Sequence, residues 1–172
     1  NDKVIVSPRA QSMGGSQAYL DAGSAYTVAE LLKSVIIASA NDSAVALAEY
    51  IAGAEEAFVA RMNERAQELG LTNTHYVNCT GLPAQGHYMS ARDVAKLSSE
   101  LDRHPLYYEY STVWMDEIAH KGGRKTQLTN TNRLVRFYTG CDGYKTGSTN
   151  EARYCMSATA KKDGMRLIAV VL

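Results

Sequence analysis

Neither sign of charge is in surplus in this sequence: 18 lysines and arginines offset 18 aspartates and glutamates. A chain without a basic excess lacks the electrostatic footprint by which nucleic acid is usually held, so the expected partner is a small or polymeric molecule read by local groups. Cysteine is scarce and odd in number, Cys79, Cys141 and Cys155, with no Cys-x-x-Cys spacing. Such a set closes at most one disulfide within the chain and is expected to serve as small buried hydrophobes. The histidines, at 75, 87, 104 and 120, show no ligand spacing and read as loop or surface residues, so no metal or cofactor is expected. Long apolar runs are missing too. The best stretch, Leu31 to Ala40, is interrupted by Lys33 and followed by Asn41 and Asp42, which is too short to cross a bilayer. The first residue is Asn1 and no charged-then-apolar segment opens the chain, so any secretion signal is expected to have been removed or left out. With no repeat, low-complexity tract or linker, one domain over residues 1–172 is the default reading.

The first half reads helical. Thr27-Val28-Ala29-Glu30 has the form of a capping box. A helix runs from it toward Ser39, with Leu31, Leu32, Val35 and Ile36 on its core face. Asn41-Asp42-Ser43 is expected to break it, and Ala44 to Tyr50 to resume as a helix ended near Gly53. Ala54 to Leu69 is a third helix, stopped by Gly70, with Phe58, Met62 and Leu69 as its apolar face. Thr72 to Tyr88 is loop, and Ser90 opens a fourth helix to about Leu101, with His104-Pro105 marking its end. Beyond it, Thr112 to Ile118 and Lys125 to Leu128 read as short strands or irregular ribbon, and Thr129 to Asp142 as connecting loop. Tyr154 to Lys161 and Met165 to Leu172 are β-prone runs joined at Asp163-Gly164, a hairpin signal. Leu167 to Leu172 is apolar on both faces, as in a strand covered on two sides. Because that run ends the sequence, its covering neighbours are expected outside these residues, and the chain reads as incomplete at both ends. The tyrosines, Tyr107, Tyr108 and Tyr110 among them, are expected to pack in the core and its rim.

Two short strings carry the chemistry, Ser39-Ala40-Asn41 and Lys145-Thr146-Gly147. They are two of the three motifs of serine enzymes that attack D-alanyl-D-alanine peptides and β-lactams. The third, Ser-x-x-Lys, supplies the acylated nucleophile. It is not here: no lysine of the sequence has a serine three places before it. Taken singly, each string has a plain structural reading. Ser39 fits a helix C-terminus, Asn41 an N-cap of the next helix, and Lys145 a solvated strand-edge lysine.

Their order and placement are what give them weight. Together with Ser12-Met13-Gly14-Gly15-Ser16, Leu69-Gly70-Leu71-Thr72-Asn73-Thr74, Gly143-Tyr144-Lys145-Thr146-Gly147 and Met165 to Val171, they make nearly the whole chain resemble the D-alanyl-D-alanine carboxypeptidases, the low-molecular-mass penicillin-binding proteins. The resemblance implies an α+β fold of the β-lactamase/transpeptidase type, an antiparallel sheet flanked by helices with an all-helical lobe. It implies that two strands and a nucleophile-bearing helix precede Asn1 and a further helix follows Leu172. A second chain or copy is another possible source of those segments. It also implies an extracytoplasmic location, in the periplasm or on the outer face of the cytoplasmic membrane, and peptidoglycan stem peptides and β-lactams as partners.

The residue roles carried over are these. Lys145 and Thr146 hold the free carboxylate of the substrate, Gly147 lets the strand edge approach its backbone, and the Ser148 amide is one oxyanion donor. Ser39 relays a proton to the departing D-alanine nitrogen, and Asn41 bonds the substrate peptide and the lysine of the third motif. Cys79 and Arg153 stand where close relatives often have Pro and Gly, and Thr131 near where some place a carboxylate-binding arginine. Arg133 is the substitute, with a structural role in the Asn130 to Leu134 loop equally open.

A class A β-lactamase needs a glutamate to activate its hydrolytic water, and Gly70 to Arg92 contains no carboxylate. That favours a carboxypeptidase, for which β-lactams are slow-release inhibitors. The competing reading, prompted by the absent nucleophile motif, is a non-catalytic peptidoglycan-binding remnant or subunit. Either way, these 172 residues alone are expected to be inactive.

Overall fold

The computed structural model describes residues 2–172. In chain order its elements are β1 (Lys3–Ile5), α1 (Pro8–Gln11), β2 (Ala25–Thr27), α2 (Val28–Ala38), α3 (Asn41–Ala52), α4 (Glu55–Glu68), β3 (Thr74–His75), β4 (Tyr88–Met89) and α5 (Ala91–Leu101). There follow α6 (Leu106–Ser111), β5 (Met115–Ala119), β6 (Lys125–Thr129), α7 (Leu134–Phe137), β7 (Cys141–Gly143), β8 (Thr146–Thr149), β9 (Arg153–Lys162) and β10 (Met165–Val171). The chain divides into two compact units, one running to Phe58 and including Val113–Thr131, the other made of Val59–Thr112 and Asn132–Leu172.

The first unit is helical at its centre, with α2 packed on α3, and is edged by two antiparallel ribbons, β1 with β2 and β5 with β6. The capping box forms as the sequence indicates: Thr27 Oγ1 accepts from the Glu30 amide and the Glu30 carboxylate accepts from the Thr27 amide at 2.8 Å. The buried face of α2 is Leu31, Ser34, Ile36 and Ile37, while Leu32 and Val35 are only half-buried. Ser34 displaces the expected leucine and valine because its hydroxyl reaches Ser43 Oγ at 2.7 Å, and so small a side chain lets α3 come close.

At the hairpin joining β5 and β6, His120 departs from its expected surface position. It is buried, with Nδ1 2.8 Å from Tyr26 Oη and Nε2 2.9 Å from Thr126 Oγ1. Burial, with the nearby Arg124 guanidinium, pushes its pKa below the ordinary imidazole value. A histidine held neutral in the fold contributes stability that is present above the unfolded pKa of about 6.5 and lost as pH falls below it. His87, also lowered by burial, acts in the same sense. Melting temperature should therefore fall between pH 7 and pH 5, and more shallowly in His120→Asn; an unaltered slope in that variant would remove His120 from the account.

In the second unit β9 is central, pairing with β10 on one side and with β7 and then β8 on the other, all antiparallel. Asp163 and Gly164 both have positive φ, 51° and 79°, as a two-residue turn of the mirror-image type requires. The β9 residues Ser157 and Thr159 are buried, and Ser98 Oγ of α5 meets Ser157 Oγ at 2.7 Å. On the other face Met165, Leu167 and Val171 stay 62%, 62% and 65% exposed, so among the described residues the expected two-sided cover of β10 is one-sided.

The loop after α4 contains the small β3–β4 ribbon and is held by two side chains. Asn63 bonds both backbone groups of Tyr76, and the Asp93 carboxylate accepts from the Asn73 amide and Thr74 hydroxyl. Two short helices appear, one in a stretch to which no element is assigned from sequence and one within the expected loop Thr129 to Asp142. One is α6, starting directly after Pro105, whose fixed φ suits a first turn; the other is α7.

Candidate functional site

The sequence-predicted residues fall into two groups, each built within one unit. In the first unit α2 ends at Ser39, whose φ of 58° places it in the left-handed region. A non-glycine residue pays for that backbone, and it persists only where its surroundings fix it. Here the Ser39 amide donates to Val35 O at 3.1 Å and the Ala40 amide to Ser34 O at 3.3 Å. The reversal is completed within two residues, so α3 begins at Asn41 and not at Ala44. Asn41 is therefore not an N-cap: Ala40 holds that position with no side-chain cap. The Asn41 side chain points elsewhere, its Nδ2 donating to Gly14 O at 2.8 Å while its amide donates to Ser16 O at 2.8 Å.

Asp42, expected in a break between helices, lies instead within α3 and supports this elbow. Its Oδ1 accepts from the Ala18 and Ser43 amides and its Oδ2 from the Leu20 amide. Residues 14–20 are thus bound to the start of α3 by backbone and carboxylate together. In the sequence Asp42 shows only as part of an Asn-Asp-Ser run, which reads as a break because such side chains bond local backbone.

In the second unit Lys145 lies between β7 and β8, half-buried, its ammonium donating to Thr146 O at 2.7 Å. Burial lowers its pKa to about 8, with no charged group contributing. Among the described residues no carboxylate forms an ion pair with it, unlike Lys33 with Asp116 and Lys125 with Glu117. A solvated edge lysine has neither property. Thr146 is half-buried, and Ser148 is exposed opposite Tyr154. A Cβ added to Gly147 would meet Cys155 Cβ at 3.8 Å, an ordinary contact. Protein packing does not require glycine there, in contrast to Gly143, where the added atom would stand 3.2 Å from the Tyr107 ring.

Arg133 is exposed at the head of α7, its guanidinium 5.7 Å from the centre of the Phe137 ring. Thr131 is exposed in the first unit. Arg153 has φ 60°, in the left-handed region that favours glycine. The three cysteines are unbridged thiols, each half-buried. A cavity of about 760 Å³ lies between the loop carrying Leu82 and Tyr88 and the turn carrying Thr149, Glu151 and Ala152; none of the candidate residues lines it.

The first unit offers a hydroxyl and an amide on an elbow between two helices, and the second a partly buried cation at the head of a strand with an open glycine. The model of the D-alanyl-D-alanine carboxypeptidase family matches residues 1–172. The chain is 50% identical to D-alanyl-D-alanine carboxypeptidase DacF of Bacillus subtilis over 171 residues, 99% of this chain and 44% of that protein. It is 42% identical to D-alanyl-D-alanine carboxypeptidase DacC of Escherichia coli over 160 residues, 92% of this chain and 39% of that protein. It thus spans less than half the length of these relatives. The crystal structure of D-alanyl-D-alanine carboxypeptidase DacD from Francisella tularensis superimposes with a TM-score of 0.92 at 30% identity, covering 99% of this chain and 53% of that one. A serine-to-alanine mutant of the Streptomyces K15 DD-transpeptidase does so with a TM-score of 0.91 at 29% identity, covering 99% and 72%. In each the helices and antiparallel sheet follow the same path.

Proposed function

The chain belongs to the D-alanyl-D-alanine carboxypeptidase family, and from that premise we propose that the intact protein is a serine-type carboxypeptidase that removes the terminal D-alanine from peptidoglycan stem peptides. Lys145 carries the reading. A partly buried cation with no ion-paired carboxylate among the described residues is suited to an anion, and the free carboxylate of a peptide ending in D-Ala-D-Ala is one. Thr146 adds a hydroxyl donor, Gly147 leaves room for the peptide backbone, the Ser148 amide faces the developing oxyanion, and Arg133 is a second cation for the carboxylate.

In the reaction a serine oxygen attacks the penultimate carbonyl, the C–N bond breaks, and D-alanine departs with a proton relayed through Ser39. Water then cleaves the ester and regenerates the serine. Asn41 holds the peptide chain. The nucleophile belongs to a Ser-x-x-Lys segment, which none of the 172 residues supplies. Residues 1–172 are part of a single catalytic domain in this reading. Its place is extracytoplasmic, where the polymer is; no helix of the described residues is long and apolar enough to cross a membrane.

The intact protein should release D-alanine from a pentapeptide ending in D-Ala-D-Ala, and should take up a fluorescent penicillin and shed it slowly. Rapid penicillin turnover with the peptide left intact would make it a β-lactamase. Retention on peptidoglycan with neither reaction would favour the binding subunit. Transfer of the acyl group to an added amine in preference to water would place it with the transpeptidases.

A further inference from the structure

The residue before Lys145 is buried and is fixed by a chain of partly buried polar groups that the proposed reaction does not use. Tyr144 is 4% exposed, its ring centre 5.4 Å from that of Tyr107 and 6.3 Å from that of Tyr108. Its hydroxyl lies 2.9 Å from the Tyr108 hydroxyl, which donates to Asp102 Oδ1 at 2.5 Å. The Tyr108 proton being committed to Asp102, Tyr144 is the donor of the pair. Arg166 closes the chain. Its Nε stands 2.9 Å from Asp102 Oδ1, its guanidinium 4.7 Å over the Tyr108 ring, and its terminal nitrogens bond both oxygens of Asp142 at 2.8 and 2.9 Å.

Asp142 and Tyr144 precede Lys145 by three residues and one. The backbone holds the same point, since the Tyr144 amide donates to Ser157 O at 3.1 Å and the Ser157 amide to Lys145 O at 2.9 Å. The backbone ladder sets the register of β8 on β9; the tyrosine chain adds a restraint from α5 and α6. The buried Tyr144 hydroxyl needs a partner and finds it in Tyr108, which the partly exposed Asp102, Arg166 and Asp142 fix in turn. The groups facing it are Tyr107, Cys141, Asp102, Asp142 and Arg166. Burial raises the Tyr107 and Tyr108 hydroxyls far above the ordinary phenol range, so the donor chain keeps one direction at any working pH.

We propose that Tyr108, braced by Arg166 and acting through Tyr144, is a positioning residue that holds the Lys145 ammonium where it meets the substrate carboxylate. The inference rests on the carboxypeptidase reading for what Lys145 does, though not for where it is held.

Tyr108→Phe in the intact protein keeps the ring and removes the hydroxyl. Reaction with a peptide ending in a free carboxylate should fall by ~10-fold, while reaction with the same peptide capped as its terminal amide should change by less than ~2-fold. Combined with Lys145→Ala, Tyr108→Phe should add no further loss. Equal losses on both peptides, or additive losses in the double variant, would reduce Tyr108 to a packing residue. A second measurement needs no substrate. In protein labelled with 13C-lysine, the Lys145 titration should move upward from about 8 in Tyr108→Phe as the ammonium regains water, and an unmoved titration would overturn the proposal even if the unsubstituted protein proved inactive. If Tyr108→Phe does not fold, Tyr144→Phe, which leaves Tyr108 on Asp102, serves for both measurements.

Discussion

Replacing Lys145 with alanine is expected to slow acylation of the intact protein, by peptide or penicillin, by at least ~10-fold, since one decade corresponds to about 1.4 kcal/mol and a charge-assisted contact contributes more than that. The side chain pairs with no acidic residue among those described, and its ammonium bonds the carbonyl of its neighbour. Its removal therefore strands no buried carboxylate, and the fold should survive. A corollary separates this from general damage to the site. With a pKa of about 8, the ammonium loses its charge as pH rises through that value, so reaction of the unsubstituted protein should decline on the alkaline side and the alanine variant should lack that limb. Near-normal acylation in the variant would return Lys145 to the role of an edge lysine.

The parts of the structure that were legible in the sequence are those whose cause is local. Thr27 and Glu30 cap α2 because both partners lie within one turn, and Asp163-Gly164 turns the β9–β10 hairpin because those two residue types tolerate positive φ. The strings at 39–41 and 145–147 were recognisable as text, and the sheet and helices run as the resemblance implied. What escaped was whatever depends on groups far apart in the chain. Asp42 reads as one residue of a helix-breaking Asn-Asp-Ser run until the fold brings it the amides of Ala18 and Leu20. His120 reads as a loop histidine until Tyr26, 94 positions away, covers it. Tyr144 and Tyr108, 36 positions apart, read as two of many tyrosines. The start of α3 was misplaced for a related reason, because an Asn-Asp-Ser run favours a break unless its amides find acceptors elsewhere, and here Ser16 and the Asp42 carboxylate supply them.

Asp42→Ala should strongly destabilise the first unit. The carboxylate is 1% exposed and accepts three amides, from Ala18 at 3.0 Å, Leu20 at 3.1 Å and Ser43 at 2.8 Å. Alanine leaves all three without that acceptor in a site water does not reach, and at about 1–3 kcal/mol for each orphaned group, with relaxation recovering part, a loss of ~3 kcal/mol is expected. The Asp42→Asn variant keeps one acceptor oxygen but presents an NH2 group to a second amide, so it should recover only part of the loss. The functional consequence follows from what the carboxylate ties down. Residues 14–20 carry the Gly14 and Ser16 carbonyls that bond Asn41, so loosening them frees the Asn41 side chain and slackens the left-handed turn at Ser39 beside it. In the intact protein, acylation should therefore fall in Asp42→Ala even at temperatures where the variant remains folded. Urea unfolding of the two variants, read beside their penicillin acylation rates, tests both halves. A stability change under about 1 kcal/mol for Asp42→Ala would mean that the three amides find other partners, and the elbow would then owe its rigidity to the α2–α3 packing alone.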